Sequence, residues 1–225
     1  MEQNNALPNV LHTERLVLRF ADPNSESDCS KILHVLHGNG MTAATLGNIK
    51  DVHTRHKDFA PKSGWCAKAP VSDRQFHLIY RKSKSTESGS EEVLGWITMN
   101  FRPEMACPDI GYILLPQHCG HGYATEAARA VLQFWREEVG VREVFAAIAE
   151  GDAKSVKIAE SLGMVRGGGL WLASGHDDTK TRAMAYVLPG MKWREVDVDG
   201  EGMEWVVKPA FNTGEKVEVG GVEGR

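Results

Sequence analysis

The sequence predicts a single α/β domain built on a mixed sheet. Three observations lead there. Strand-like segments fill the first half of the chain. A strand–helix–strand–helix–strand alternation then follows, and two of its strands are apolar on both faces, as strands covered on both sides must be. The chain of 225 residues, 42% of them hydrophobic, is long enough for one sizeable core.

Thr13–Phe20 alternates, with Leu16, Leu18 and Phe20 facing one way and Arg15, Val17 and Arg19 the other, which predicts a half-buried strand. The twelve residues before it are polar and read as loose. Asp22–Ser27 reads as a turn and helix start, and Ile32, Leu33, Val35 and Leu36 as the apolar stripe of a short helix. Within Gly38–Pro70, Thr42–Phe59 reads as a broken helix followed by a loop. Gln75–Arg81 and Val93–Phe101 read as strands joined by a solvated hairpin loop, Lys82–Glu92, rich in Ser, Lys and Glu. Ile110–Leu115, bracketed by Pro108 and Pro116, is apolar on both faces and belongs in the middle of the sheet.

After Pro116 the period changes. Ala124, Ala127, Ala128, Val131, Leu132, Trp135 and Val139 recur at helical spacing until Gly140. Val141–Ala149 is a strand. Asp152–Leu162 is a second helix, with Asp152 as N-cap and Gly163 as its stop. Met164–Arg166 and Ala183–Leu188 close the sheet, and Glu195–Val207 reads as a hairpin around Asp199-Gly200. Trp65, Trp96, Trp135 and Trp171 read as core or rim aromatics.

Composition narrows the function. A net charge of −4 and a pI near 6.1 give no general attraction to nucleic acid or anionic membranes. Four widely spaced cysteines without a Cys-x-x-Cys pair fit reduced thiols better than a disulfide framework. No apolar run has membrane-spanning length and no secretory signal is visible, so a cytoplasmic location is expected.

The segment Gln117-His118-Cys119-Gly120-His121-Gly122-Tyr123-Ala124 lies between a buried strand and an amphipathic helix. A helix start has unpaired N–H groups and a positive dipole end, and two glycines let backbone approach a ligand closely. The small residues Ala124 and Thr125 keep that approach open. The segment is thus a site for a phosphate or pyrophosphate, or else a tight strand-to-helix turn. It lacks the third glycine of a dinucleotide fingerprint and the Gly-Lys-Ser/Thr of a P-loop. His118, Cys119 and His121 have no further ligand at metal-binding spacing, so no metal is expected.

Gln-x-x-Gly-x-Gly after a strand resembles the coenzyme A signature of GNAT-superfamily acetyltransferases. Its continuation Tyr-Ala-Thr-Glu-Ala-Ala resembles the ribosomal-protein N-acetyltransferase branch. Thr-Glu-Arg-Leu-x-Leu-Arg at 13–19, Asp-Ile-Gly-Tyr at 109–112, and Asp152-x-x-Ser155 followed by Leu162-Gly163-Met164 resemble that branch in order and spacing. The resemblance implies a mostly antiparallel twisted sheet with splayed central strands, in an acetyl-CoA-binding domain spanning 13–188. An acidic tail or extra hairpin follows at 189–225. It further implies acetyl-CoA as donor substrate, its pyrophosphate on backbone N–H groups from His118 to Ala124. Gln117, Thr125 and Asp152 lie alongside, and the pantetheine arm pairs with Ile113, Leu114 and Leu115 like an added strand.

Amide formation needs a neutral amine, a stabilised oxyanion and a proton for the thiolate. Deprotonating a lysine-like amine at pH 7 costs about 4–5 kcal/mol, an α-amine about 1 kcal/mol. Asp109 at the start of the central strand is the candidate base, or else a passive strand-edge carboxylate. The N–H of Leu115 is a candidate oxyanion donor. The tyrosine many relatives carry late in the second helix is Ala159 here. Ser155 stands where the branch has a serine near sulfur, or simply bonds the backbone in a first turn. Asp152 replaces the branch's usual Asn. Lys154 and Lys157 either meet the CoA 3′-phosphate or form a solvated helix face. The leading expectation is acetyl transfer to a primary amine, a peptide or protein N-terminus before a small molecule. The alternatives are a catalytically weak CoA-binding regulatory module and a dinucleotide-binding protein.

Overall fold

The computed structural model describes residues 8–22, 25–40, 76–82, 92–100, 107–173, 180–191 and 206–207. They form a nine-stranded mixed sheet with three helices. The strands are β1 (Val10–His12), β2 (Leu16–Phe20), β3 (Phe76–Arg81), β4 (Val93–Asn100), β5 (Asp109–Leu114), β6 (Phe145–Ala149), β7 (Val165–Ala173), β8 (Lys180–Val187) and β9 (Val206–Val207). The helices are α1 (Glu26–Gly38), α2 (Tyr123–Glu137) and α3 (Ala153–Ser161). Sheet order is β1-β2-β3-β4-β5-β6-β8-β7-β9. Among the described residues, only β5–β6 and β7–β9 are parallel pairs.

Local chemistry places the helices where the pattern put them. Ser25 caps α1 by accepting the Asp28 N–H, and Asp152 caps α3 by accepting the Ser155 N–H. At the end of α2 the chain turns through Gly140, and Val141 N–H reaches back to the Trp135 carbonyl. The stripe Ala127, Ala128, Val131, Leu132 and Trp135 lies against Leu16, Leu18, Ile97, Met99, Ile110 and Leu114 on one face of the sheet. On the other face Ile32, Val35 and Leu36 of α1 meet Leu78, Tyr80, Trp96 and Leu115.

Several boundaries differ from the sequence expectations. Val10–His12 is not loose: it forms a short edge strand on β2, too brief to show a period. Val141–Val144 lies outside the ladder, although Val141 and Val144 are buried, so that strand begins only at Phe145. The closing strands are much longer than expected. The first of them continues past Arg166 through Gly167-Gly168-Gly169, which the β7–β8 register shift between Arg166 and Gly169 absorbs inside one strand. Val206–Val207 pairs with β7, so part of the tail joins the sheet. The broken helix at 42–59, most of the 82–92 loop, Trp65 and the hairpin around Asp199 lie outside the described residues.

Not every buried side chain is apolar. His77 on β3 is fully buried, its ring 4.0 Å from Phe20 and 6.3 Å from Phe134 between centroids. Neither ring nitrogen has a hydrogen-bond partner. Burial lowers its pKa from 6.5 to about 3, so the folded state holds it neutral. Its contribution is intact above pH 6.5 and is lost as pH falls toward 3, because only the unfolded chain binds the proton there. Chemical denaturation between pH 6.5 and 4 should show the wild type losing about tenfold more in folding equilibrium constant per pH unit than His77→Phe. Equal slopes would remove His77 from the acid response.

Candidate active site

β5 and β6 are paired at one position, Asp109 opposite Phe145, with the Phe145 N–H on the Pro108 carbonyl. Beyond it the two strands part, each held on its far side by a full antiparallel ladder. The gap has a defined chemistry, because backbone groups alternate in direction along an antiparallel strand. Leu115 N–H donates to the Leu94 carbonyl at 2.8 Å. With the register Leu114↔Gly95, Ile113↔Trp96 and Tyr112↔Ile97, the groups of Ile113 and Leu115 point to β4. Those of Tyr112 and Leu114 point into the gap. The expected trio Ile113–Leu115 is therefore corrected: Ile113 and Leu115 are committed to β4, and the backbone groups that face the gap are those of Tyr112 and Leu114. For the same reason Leu115 N–H is not an oxyanion donor. The Leu114 carbonyl is already held by Asn39 Nδ2 at 3.0 Å, which ties the end of α1 to the mouth of the gap.

At that mouth the chain makes a 3-10 turn, Pro116–His118, with Gln117 exposed. The turn consumes two of the N–H groups expected to hold phosphate: His118 donates to Leu115 and Cys119 to Pro116. Gly120 and Gly122 then adopt left-handed backbone, φ +81° and +79°, and Gly122 is the N-cap of α2 without a side-chain cap. The first helical bond runs from Glu126 N–H to the Gly122 carbonyl at 3.0 Å. The N–H groups of Tyr123, Ala124 and Thr125 thus precede the intrahelical ladder and, with Gly120, His121 and Gly122, form the anion-facing end.

An acidic residue in that first turn opposes an anion, and the structure offsets it. Glu126 accepts from Thr13 Oγ1 at 2.5 Å, Arg15 N–H at 2.9 Å and Arg15 Nε at 2.7 Å. Desolvation pushes its carboxyl upward, but these bonds outweigh it and hold the pKa below the ordinary value. Arg15 also donates to the His121 carbonyl at 3.0 Å and lies over the Tyr123 ring, which stacks on His121. Thr13 and Arg15 therefore pin the loop from the β1–β2 turn. Sequence reasoning missed this pair; the available signal was Glu126 itself, a carboxylate in a helix turn read as an anion site.

Asp109 is buried, 4% exposed, at the closed end of the gap. It stands on the sheet face opposite α2 and α3, since Ile110, Tyr112 and Leu114 take the other face. Asn100 Nδ2 donates to its Oδ2 at 2.8 Å. Nearby, burial pushes the Cys107 thiol up to about 12, with the charges of Glu143 and Asp109 adding to the shift. Across the gap, Ser155 Oγ donates to Asp152 Oδ2 at 2.6 Å, and Tyr112 Oη donates to the Ser155 carbonyl at 3.0 Å. Burial raises the Tyr112 phenol to about 12 against the effect of that bond, so it keeps its proton. Ala159 is buried in the core. Lys154 and Lys157 are exposed on α3. The arrangement is a slot with a glycine-containing loop and a helix N-terminus at one end and a buried carboxylate at the other.

Comparison with known proteins bears on this geometry. The sequence model of the acetyltransferase (GNAT) domain matches residues 15–165. An uncharacterized Bacillus subtilis protein, YkkB, is 41% identical over 56 residues, which span 25% of this chain and 33% of that protein's length. Among solved structures, a Vibrio fischeri ribosomal-protein-S5-alanine acetyltransferase superposes with a TM-score of 0.56 at 14% identity, over 82% of this chain and 98% of that one. The microcin C7 self-immunity acetyltransferase MccE, in complex with acetyl-CoA and AMP, gives 0.52 at 14% identity, over 78% and 92%.

Gly122→Val places a β-branched side chain at φ +79°, with a Cβ 3.4 Å from Arg15 Nη2. Calorimetry should show loss of CoA binding in a protein that keeps its circular dichroism; unchanged affinity would reduce the loop to a turn. Arg15→Met should weaken CoA binding several-fold, and adding Glu126→Gln should restore part of it. No recovery in the double variant would mean that Glu126 charge does not oppose the ligand.

Proposed function

Because the chain belongs to the GNAT acetyltransferases, a family that transfers acetyl from acetyl-CoA, we propose that it acetylates a primary amine, with the α-amine of a peptide or protein as the preferred acceptor. The observation that carries this reading is the gap that opens beyond the Asp109–Phe145 bridge, with an anion-facing helix end at its mouth. In this reading the N–H groups of Gly120–Thr125 hold the pyrophosphate, and Tyr112 and Leu114 pair with the pantetheine amides. The thioester then lies toward Asp109. The amine approaches from the α1 face; its nitrogen bonds to the thioester carbon, the carbon–sulfur bond breaks, and the amine proton passes to Asp109 directly or through water. The thiolate leaves with CoA and takes its proton from solvent or a nearby hydroxyl. A carboxylate is a weak base, which suits an amine whose pKa is already near 8 better than a lysine side chain near 10.4. An acetyl-CoA-dependent enzyme with reduced thiols fits the cytoplasm.

A second reading, a CoA-binding module with little turnover, is favoured by one feature. Ser155 hydroxyl is engaged by Asp152, so it can serve a thiolate only after leaving that bond. Asp152 also places a carboxylate at the helix start beside the bound cofactor. Asp152→Asn should therefore tighten CoA binding and raise turnover, with the cap retained through the amide oxygen. Lower turnover in this variant would contradict the argument.

Release of free CoA from acetyl-CoA should be followed with short peptides bearing free or blocked N-termini, polyamines and aminoglycosides. The expected result is the highest kcat/KM for free N-terminal peptides. A preference for small amines would move the acceptor class; no amine-dependent release from any of them would leave the regulatory module.

A further inference from the structure

Three polar side chains are buried together where apolar ones would suffice for folding. Thr98 and Asn100 on β4 and Asp109 on β5 are 2%, 5% and 4% exposed. They share the sheet face that also carries Trp96 and Ile113. Asn100 and Asp109 are direct cross-strand partners. Asn100 Nδ2 donates to Asp109 Oδ2 at 2.8 Å, and Thr98 Oγ1 donates to Asn100 Oδ1 at 2.9 Å. Gly111, opposite Thr98, makes the space: a Cβ there would stand 3.2 Å from Thr98 Cγ2 and 3.5 Å from Asn100 Nδ2.

The chain of bonds has a direction. A carboxamide can turn either its NH2 or its oxygen toward a neighbour, and the oxygen would repel a carboxylate. The Thr98 hydroxyl satisfies the amide oxygen and so fixes the NH2 on Asp109. Burying polar groups is unfavourable unless each is satisfied, and a satisfied buried network holds one geometry. This network includes the residue at which β5 and β6 part.

We propose that Asn100 is a positioning residue for Asp109, with Thr98 behind it and Gly111 leaving room for both. Asn100 orients the carboxylate so that one oxygen is held and the group stands ready to receive the amine proton. The other ionisable groups of this corner among the described residues are Cys107, ahead of β5, and Glu143, ahead of β6. This inference rests on the acetyl-transfer reading.

The test is the split between kcat for the amine and KM for acetyl-CoA, with Asp109→Asn as the reference background. Asn100→Leu should lower kcat at least tenfold, while the KM for acetyl-CoA stays within twofold. Thr98→Val, a smaller change that leaves Asn100 in place, should lower kcat by less, and decides the matter if Asn100→Leu fails to fold. Added to Asp109→Asn, either change should lower kcat little further, because the group it positions is already gone. An unchanged kcat in Thr98→Val and in a folded Asn100→Leu, or an undiminished loss in the Asp109→Asn background, would overturn the inference while leaving a wild-type acetyltransferase. A wild type inactive toward every amine would sink the acetyl-transfer reading first, and this assignment with it.

Discussion

The single bridge between Asp109 and Phe145 organises the molecule. On one side of it four antiparallel pairings lead from β5 out to β1; on the other, β6 leads through β8 and β7 to β9. Each half is committed to its own ladders, so the two strands meet once and diverge. Divergence has a cost. Backbone N–H and C=O groups in the middle of a sheet require partners, and at Tyr112 and Leu114 the neighbouring strand is no longer there to supply them. A ligand that carries amides in an extended chain would meet that requirement at the groups Asn39 does not already hold. The slot is thus a consequence of topology before it is a property of any side chain.

Its two ends are then specialised by opposite means. At the mouth stand backbone groups: two left-handed glycines and a helix start whose first N–H groups precede the ladder. The side chains there act on each other. Arg15 and Thr13 occupy the Glu126 carboxylate, fix the loop against the β1–β2 turn and offset a charge that would oppose an anion. At the closed end the groups are side chains, and they are buried. The two ends lie on opposite faces of the sheet. That separation would let a donor and an acceptor approach one carbon from different directions without sharing an entrance.

Much of this was legible in the sequence. The change of period after Pro116, the Gly-x-Gly before an amphipathic helix, the Asp152 cap and the carboxylate at the head of a doubly apolar strand are local signals, and they fall where the chemistry of those residues puts them. The direction of backbone groups was not legible. Whether Ile113 or Tyr112 faces the gap depends on the register with β4, a property of two strands and not of one. Likewise the N–H groups of His118 and Cys119 were lost to a 3-10 turn that no hydrophobic period announces. Thr98 and Asn100 sat in a strand read only for its apolar residues, and their meaning depends on the cross-strand neighbour Asp109. The strand expected to end at Arg166 runs on to Ala173, because a bulge at glycines inside a strand depends on the partner strand and not on local composition.

The central claim is that coenzyme A completes the sheet along the gap-facing side of β5. Amide hydrogen exchange resolved by residue, with and without CoA, tests it most directly. The account expects the N–H groups of Tyr112 and Leu114 to gain strong protection on binding. Ile113 and Leu115, already bonded to β4, should change little. Unchanged exchange at Tyr112 and Leu114 in the saturated complex would contradict it.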